Sequence, residues 1–429
     1  ATSMAASGTA PGVDPGCLAA FERGLRMDDE GAHLQPWPWV LTDPLDDALD
    51  YSVHQRRRPA LFPPLLEPKG GKGGKRRREE GPPTALQGER GEPLVENEPG
   101  LCTRMEASHA ALLRAIGPGG VCCAAWRLTA SGPTEPAGST AAALLPPLAE
   151  PATAQRYARP LRRVEVSTSA VLRPPMLYSL VHNTAAHEVT VEALGARWLL
   201  PPQSAFLLSD MARWRELPPL RPPGGYRLIL ADPPWHSASA QRAGAYATLD
   251  KRALLALPVA QLARSSGCLV LVWITNSRHV QDFVEKVLFP RWGARRLARW
   301  YWLKVTADGQ LAGGSPRSPH RKPWEPLLVG FIGSGAPPPL PPRRVICSMP
   351  LGHSHKPPLC TLLRPLALPL SACAEATVGA PAGATELEQQ QAWRTLPKLE
   401  LFARELRPGW HSAGNEVLRF QHESFWEPR

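Results

Sequence analysis

From about residue 200 onward, short apolar runs alternate with stretches of helical spacing, and this alternation constrains the fold more than any other feature. Tyr226 to Ala231 is apolar apart from Arg227, the pattern of a strand buried on both faces in a parallel sheet. Leu249 to Ala263 reads as helix with a break at Pro258, and Cys268 to Ile274 as a second buried strand. Arg278 to Leu288 is helical in spacing, with Val280, Phe283, Val284 and Val287 on one face. Arg299 to Val305 alternates as a strand, with Trp300 and Trp302 directed into the core. Leu327 to Ile332, Val345 to Met349 and Lys398 to Phe402 read as further strands, and Leu359 to Arg364 as a short helix stopped by Pro365. The order implies an α/β fold with a mainly parallel sheet over residues 201–429. Two segments look like surface insertions: proline-rich Gly333 to Arg344, and Ser371 to Gln391, rich in Ala, Gly and Gln.

The first 200 residues are different. Of 429 residues 50 are proline, about 12% against a usual ~5%, and many of them lie here. Residues 1–100 combine prolines, small residues and two basic clusters, Arg56-Arg57-Arg58 and Lys75-Arg76-Arg77-Arg78, and are expected to be mostly disordered. The second cluster reads either as a nuclear address or nucleic-acid arm, or as solvated charge. Trp37 and Trp39 suggest that part of this region docks on the core. Residues 101–200 are expected to form an accessory domain interrupted by a linker at 131–153. In it, Met105 to Ile116 has helical spacing and Val164 to Val171 alternates like a strand. The chain begins at Ala1 rather than methionine, so the true N-terminus is expected to be missing, and with it any targeting signal. The charge balance, 49 − 38 = +11, fits a nucleic-acid partner without requiring one. Eight scattered cysteines with no C-x-x-C pair argue against a zinc ribbon and for free thiols. No apolar stretch approaches membrane-spanning length.

The most informative residues are Asp232-Pro233-Pro234-Trp235, directly after a predicted strand. In α/β sheets ligands bind beyond the carboxyl ends of strands, so a tetrapeptide there is placed for chemistry. Two prolines fix the backbone and remove its N–H donors, leaving carbonyls that only accept. An acidic side chain with fixed carbonyls suits an exocyclic amino group, and the aromatic residue offers a stacking face for a base. The implied chemistry is methylation of an amino group on a planar ring. Its nitrogen lone pair is conjugated into the ring; acceptors for both amino protons pull the nitrogen toward tetrahedral geometry and free the pair for attack. Positioning then supplies most of the acceleration. A Pro-Pro turn with an acidic cap is the structural alternative.

With these residues the chain resembles the adenine-N6 methyltransferase family of the eukaryotic mRNA adenosine methyltransferase type. The likeness covers about residues 200–425, in ordered blocks. They are Phe206 to Asp210; Asp232 to Trp235; Ser239, Arg242 and Tyr246; Trp273 to Asn276; and Trp302 to Lys304. Then come Ser318 to Glu325, His353 to Leu359, Glu400 to Arg404, Pro408 to Trp410 and Gly414 to Val417. The resemblance implies a Rossmann-like fold and S-adenosylmethionine as cofactor. It implies that Asp232 and the Pro233 and Pro234 carbonyls hold the adenine amino group. Trp235 and Tyr246 would flank the base, and Ser239, Arg242, His355 and Lys356 would line the substrate side. For the cofactor it implies Asp232, Lys322 on the methionine carboxylate, Arg404 on the ribose, and Asn415 with Glu416 on the ribose or adenine end. A metal is not expected at His353 and His355. No GxGxxG loop is present, which disfavours a dinucleotide dehydrogenase.

Three functions stay open at this level. One is adenine-N6 methylation of RNA, with small nuclear RNA carrying 2′-O-methyladenosine favoured. The second is the same chemistry on DNA. The third is a non-catalytic nucleic-acid-binding subunit. The resemblance further implies activity as a monomer without an obligate partner. The Lys75 to Arg78 cluster, read as a nuclear address, points to the nucleus, with the cytosol as the alternative. Arg291, Arg295, Arg296 and Arg299, interleaved with Trp292 and Trp300, either track a phosphate backbone or form an amphipathic segment with buried aromatics.

Overall fold

The computed structural model describes residues 40–42, 49–50, 100–116, 162–172, 179–193, 195–209, 220–235, 251–306, 309–318, 322–348, 350, 355–357, 359–367 and 386–423. Twelve strands form one sheet in the order β2-β1-β13-β11-β12-β10-β9-β14-β15-β8-β5-β3. Its centre is an all-parallel block: β10 (Cys268–Trp273), β9 (Leu228–Ala231), β14 (Lys398–Leu401), β15 (His411–Gly414) and β8 (Ala205–Leu208). β8, β9 and β10 are apolar on both sides because both sides are covered, whereas β14 buries Lys398 and Glu400 and β15 buries Ser412. Along β10, Cys268, Val270 and Val272 enter one core, while Leu269, Leu271 and Trp273 enter the other.

One core is roofed by Val259, Leu262, Val280, Val284 and Leu288, from α2 (Val259–Leu262), α3 (Arg278–Phe283) and the π turn that continues α3. The other is roofed by Leu362, Leu363 and Trp393, from α4 (Cys360–Ala367) and α5 (Glu386–Thr395). Beyond β10 the direction changes. β12 (Trp324–Ile332) runs antiparallel to both β10 and β11 (Arg295–Lys304), and β13 (Arg343–Ser348) is again parallel to β11. The mainly parallel α/β sheet is as expected, with β12 as the inverted strand.

Residues before 200 join the same sheet. β5 (Ser179–Asn183) pairs antiparallel with β8, and β3 (Arg162–Val166) parallel with β5. Val40–Thr42 forms β1, which pairs with β13 and with β2 (Leu49–Asp50). Trp37, Trp39, the basic clusters and the 131–153 linker lie outside the described residues. A separate three-stranded sheet holds β4 (Ala170–Val171), β6 (Val189–Ala193) and β7 (Ala196–Leu200). The single strand expected over Val164 to Val171 is therefore two strands in different sheets. α1 (Leu101–Ile116) lies over β11 and β13, burying Met105 and Leu112 against Tyr301, Leu303 and Val345.

Several boundaries differ from expectation for physical reasons. Tyr226 makes only an isolated bridge before β9 begins at Leu228, since Gly225 (φ 87°) turns the chain there. The Leu249 to Ala263 helix is a 3-10 stretch, Lys251–Ala256, and α2, separated at Pro258. Val287 is 45% exposed rather than core-facing. The π turn Val284–Leu288 adds a residue to its turn, which rotates Val287 outward and brings Leu288 and Phe289 in. α4 runs through Pro365 to Ala367. Burial of Leu366 and Ala367 outweighs the hydrogen bond that a proline nitrogen cannot donate. The 333–342 connection is seated rather than projecting: a Cβ on Gly333 would come within 2.8 Å of the Ser265 carbonyl oxygen and the Gly267 nitrogen. Trp292 and Trp300 are buried, and Arg296 and Arg299 both pair with Glu285, so these aromatics offer no stacking faces. No helix among the described residues is long and apolar enough to cross a membrane.

Candidate active site

Ala231 pairs with Val272 on one side and Leu401 on the other, and Leu401 pairs with Ala413. Asp232, Phe402 and Gly414 therefore emerge at one edge of the sheet. This is also where strand order reverses, with β10 and β14 on opposite sides of β9. Such a reversal opens a crevice beyond the strand ends, the usual ligand position in open α/β sheets. Because β12 runs the other way, it enters at this same edge with Trp324 and Glu325, next to Lys304 at the end of β11.

The backbone past β9 is pinned at both ends. Asp232 N–H donates to the Leu401 carbonyl (3.2 Å), and Trp235 N–H to the Pro233 carbonyl (2.8 Å). That second bond occupies one lone pair of the Pro233 oxygen and leaves the other. The Trp235 indole N–H donates to the Trp273 carbonyl (2.7 Å), and the ring is 6% exposed within the core. Trp235 is thus a wall of the crevice anchored from behind, and little of the stacking face expected of it is open. Phe402 has a left-handed backbone (φ 61°) that turns the chain sharply after β14. Ala403 N–H then donates to the Ala413 carbonyl (3.1 Å), and a Cβ on Gly414 would sit 2.7 Å from the Ala403 oxygen. Glycine is needed there by close backbone approach.

Around Asp232 stands a connected set of charges. Its Oδ2 accepts from Arg404 (2.9 Å), and its Oδ1 lies 3.4 Å from Lys356 Nζ. Arg404 also donates to Glu416 (3.0 Å), which accepts from Arg419 (3.1 Å). Lys356 reaches Glu325 (2.8 Å), which is bonded to Lys304 as well. Lys356 Nζ also lies 5.8 Å from the centroid of the Trp273 ring. Burial alone would lower the Lys356 pKa; Asp232 and Glu325 outweigh it and hold the ammonium above the ordinary lysine range. Burial alone would raise the Glu325 pKa; Lys304 and Lys356 outweigh it and hold it well below the carboxylate range. Both groups are charged at neutral pH.

Behind this rim lies a second layer. His355 is turned inward: its Nε2 is 2.7 Å from Glu405, and its ring stacks on Phe420 at 4.3 Å between centroids. Its side chain is 2% exposed, so it positions its neighbour Lys356 rather than lining a substrate surface. Arg407 donates to Glu400 (2.9 Å) and lies 3.9 Å from Glu405.

Of the residues expected at the site, Asp232, Pro233, Pro234, Trp235, Lys356, Arg404 and Glu416 are brought together, and Asn415 is exposed just after β15. Ser239, Arg242 and Tyr246 lie outside the described residues, as do His353, His320 and Arg321. Lys322 stands at the entry to β12, where it donates to the Pro316 carbonyl (2.8 Å) and lies over Trp324; the cations that contact Asp232 are Lys356 and Arg404. The motif blocks contained Glu325, Lys304, Glu400 and Trp273 without assigning them roles; Glu405, Arg407, Arg419 and Phe420 carried no signal of their own. Glu405 meets His355 across 50 residues, which spacing does not encode, and the nearer pairs Arg407–Glu400 and Arg419–Glu416 join the site only because the fold brings Asp232 to them.

Mouse N(6)-adenine-specific methyltransferase METTL4 is 34% identical over 268 residues, 60% of this chain and 51% of its own length. The N6-methyladenosine RNA methyltransferase MTA1 of Pyricularia oryzae is 34% identical over 250 residues, 55% and 58% of the two chains. The DNA N6-methyl methyltransferase of Caenorhabditis elegans is 30% identical over 238 residues, 53% and 55%. The chain spans about half the length of these relatives. The model of the MT-A70 family matches residues 226–416, from the turn before β9 through Glu416. Asp232 to Trp235, Lys356 and Arg404 all fall inside that span, and this part of the chain belongs to the MT-A70 family.

Proposed function

We propose that this protein transfers a methyl group to the N6 amino group of adenine in nucleic acid, with S-adenosylmethionine as donor. The observation that carries the reading is the intact Asp232-Pro233-Pro234-Trp235 turn at the crevice, with Asp232 tied to both Lys356 and Arg404. The residues present fit the cofactor. Its amino-acid end bears both an ammonium and a carboxylate, and Asp232 and Lys356 offer the complementary charges side by side. Lys356 takes the role expected of Lys322. Asn415 and Glu416 follow the strand end where Gly414 brings two backbones together, and they would hold the ribose or adenine end. When bound, S-adenosylmethionine supplies an electrophilic methyl group.

The chain's own contribution is orientation. Asp232 has two contacts on a carboxylate with about four lone-pair sites, so it can still accept from an amino group. The free lone pair of the Pro233 carbonyl and the Pro234 carbonyl face the same need. Trp235, anchored to the Trp273 carbonyl, bounds the base laterally and excludes water. The pinned backbone keeps the acceptors in place, so little reorganisation precedes attack.

RNA is the favoured substrate, small nuclear RNA at a 2′-O-methylated adenosine in particular. DNA is the second reading, supported by the name of the nematode relative. Action as a monomer in the nucleus completes the proposal, the latter on the Lys75 to Arg78 cluster. The test is methyl transfer from radiolabelled S-adenosylmethionine to matched oligonucleotides: RNA with and without 2′-O-methyladenosine, single-stranded DNA and duplex DNA. Transfer to RNA adenine, lost in Asp232→Ala, is expected. Preferred transfer to DNA overturns the RNA choice, and transfer to none overturns the enzyme reading in favour of a binding subunit.

A further inference from the structure

α1 lies about 100 residues before the MT-A70 span, yet one stripe of it addresses a single catalytic-edge segment. That segment is the connection between β11 and β12, which ends at Lys322 and Pro323. Cys102, Glu106 and His109 stand at i, i+4 and i+7 and so share a face of the helix. Each meets the connection. Cys102 Sγ donates to the Pro316 carbonyl (3.4 Å), Glu106 forms a two-pronged pair with Arg317 (2.8 and 2.7 Å), and His109 Nε2 is 2.9 Å from the Gly309 carbonyl oxygen.

The Pro316 carbonyl is the node of this arrangement. It accepts from Cys102 and also from Lys322 Nζ, which lies 4.0 Å from the Cys102 sulfur. Helix, connection and the entry to β12 therefore meet at one oxygen. The connection starts from Lys304 and leads into Trp324 and Glu325. Lys304 and Glu325 bond each other across its base, and Glu325 holds Lys356 2.8 Å away beside Asp232. Met105 and Leu112 anchor the helix against β11 and β13 below, so the stripe has a rigid backing.

We propose that α1 is a positioning element of the catalytic site, whose Cys102–Glu106–His109 stripe holds the β11–β12 connection so that Glu325 keeps Lys356 in register for S-adenosylmethionine. This rests on the reading of Lys356 as the cofactor's carboxylate contact. The connection contains Gly309, Gly313 and Gly314, all at positive φ. Its own bonds are short-range turn contacts, Thr306 N–H to the Gln310 carbonyl (2.8 Å) and Ser318 N–H to the Ser315 carbonyl (3.0 Å) among them, and the helix stripe adds contacts from outside the connection.

The experiment uses the full chain and the exposed pair. Glu106→Arg sets two guanidinium groups against each other and should speed amide exchange in 309–318. An exposed pair is worth up to about 1 kcal/mol, so the Kd for S-adenosylmethionine should rise roughly fivefold. The double exchange Glu106→Arg/Arg317→Glu restores the pair with reversed sign and should recover both exchange protection and affinity. A purely structural helix would lower Tm and leave Kd within twofold. Unchanged exchange, or faster exchange with unchanged Kd, overturns the inference while the functional reading stands. Failure of the wild-type chain to bind S-adenosylmethionine overturns the functional reading and the inference with it.

Discussion

Replacing Lys356 by methionine removes a cation and keeps the chain length, and its consequences can be worked from the contacts. The ammonium lies between Asp232 Oδ1 at 3.4 Å and Glu325 Oε2 at 2.8 Å, with 14% of the side chain exposed. Breaking a buried pair from one side costs about 3–5 kcal/mol. Here each carboxylate keeps a second cation, Arg404 for Asp232 and Lys304 for Glu325, which reduces the expected loss to about 1–3 kcal/mol. The loss should depend on pH. Lys304 and Lys356 hold Glu325 below its unfolded value of about 4.3, so its contribution is present above that value and lost as pH falls toward the folded one. The variant's Glu325 is less depressed, though Lys304 still pairs with it. The unfolded state is common to both proteins, so the stability gap is full at pH 7 and narrows only once pH falls through the variant's folded Glu325 value. Urea denaturation of both proteins at a series of pH values from about 7 down to about 2 measures the gap. A gap that is absent at pH 7, or that widens as pH falls, refutes the assignment of Lys356 to this pair of carboxylates.

Gly414→Ala places a methyl group 2.7 Å from the Ala403 oxygen and should cost about 1–3 kcal/mol, with a larger proportional loss of S-adenosylmethionine affinity than of nucleic-acid affinity in titrations of each. Trp235→Phe keeps the ring but not the bond to the Trp273 carbonyl, and should lower stability by about 1–2 kcal/mol in thermal denaturation. Leu288→Ala should cost about 2–5 kcal/mol and Val287→Ala less than about 0.5 kcal/mol. Equal effects in a denaturant titration would contradict the π turn.

The fold was legible where one physical cause dominated. Runs such as Leu228–Ala231 and Cys268–Trp273 are apolar on both faces, and no other environment suits them in a chain of this kind. Pro258 and the inward pair Trp300 and Trp302 were legible for the same reason. What failed depended on competition. The phase of Val287 was lost because a π turn changes the period that the pattern presumes. Pro365 reads as a stop in the sequence because the burial of Leu366 and Ala367 is a tertiary fact. At the site, Asp232 to Trp235 announced itself by residue type and by its place after a strand. The choice between Lys322 and Lys356 did not: both are lysines followed by proline in motif loops, and only the inverted direction of β12 and the Glu325 bridge distinguish them.

The position of β8 has a consequence for biogenesis. Ala205 pairs with His411, a sequence separation of 411 − 205 = 206. At about 5–20 residues per second, a ribosome needs roughly 10–40 seconds to deliver β15 after β8 has been made. During that interval Phe206, Leu207 and Leu208 have no parallel neighbour, and the edge they present is apolar. β5, made earlier, pairs antiparallel with β8 and covers its other side at once. The N-terminal strands thus act as a holding partner during synthesis, and a chain that begins after β5 would expose β8 on both edges until its last strand arrives.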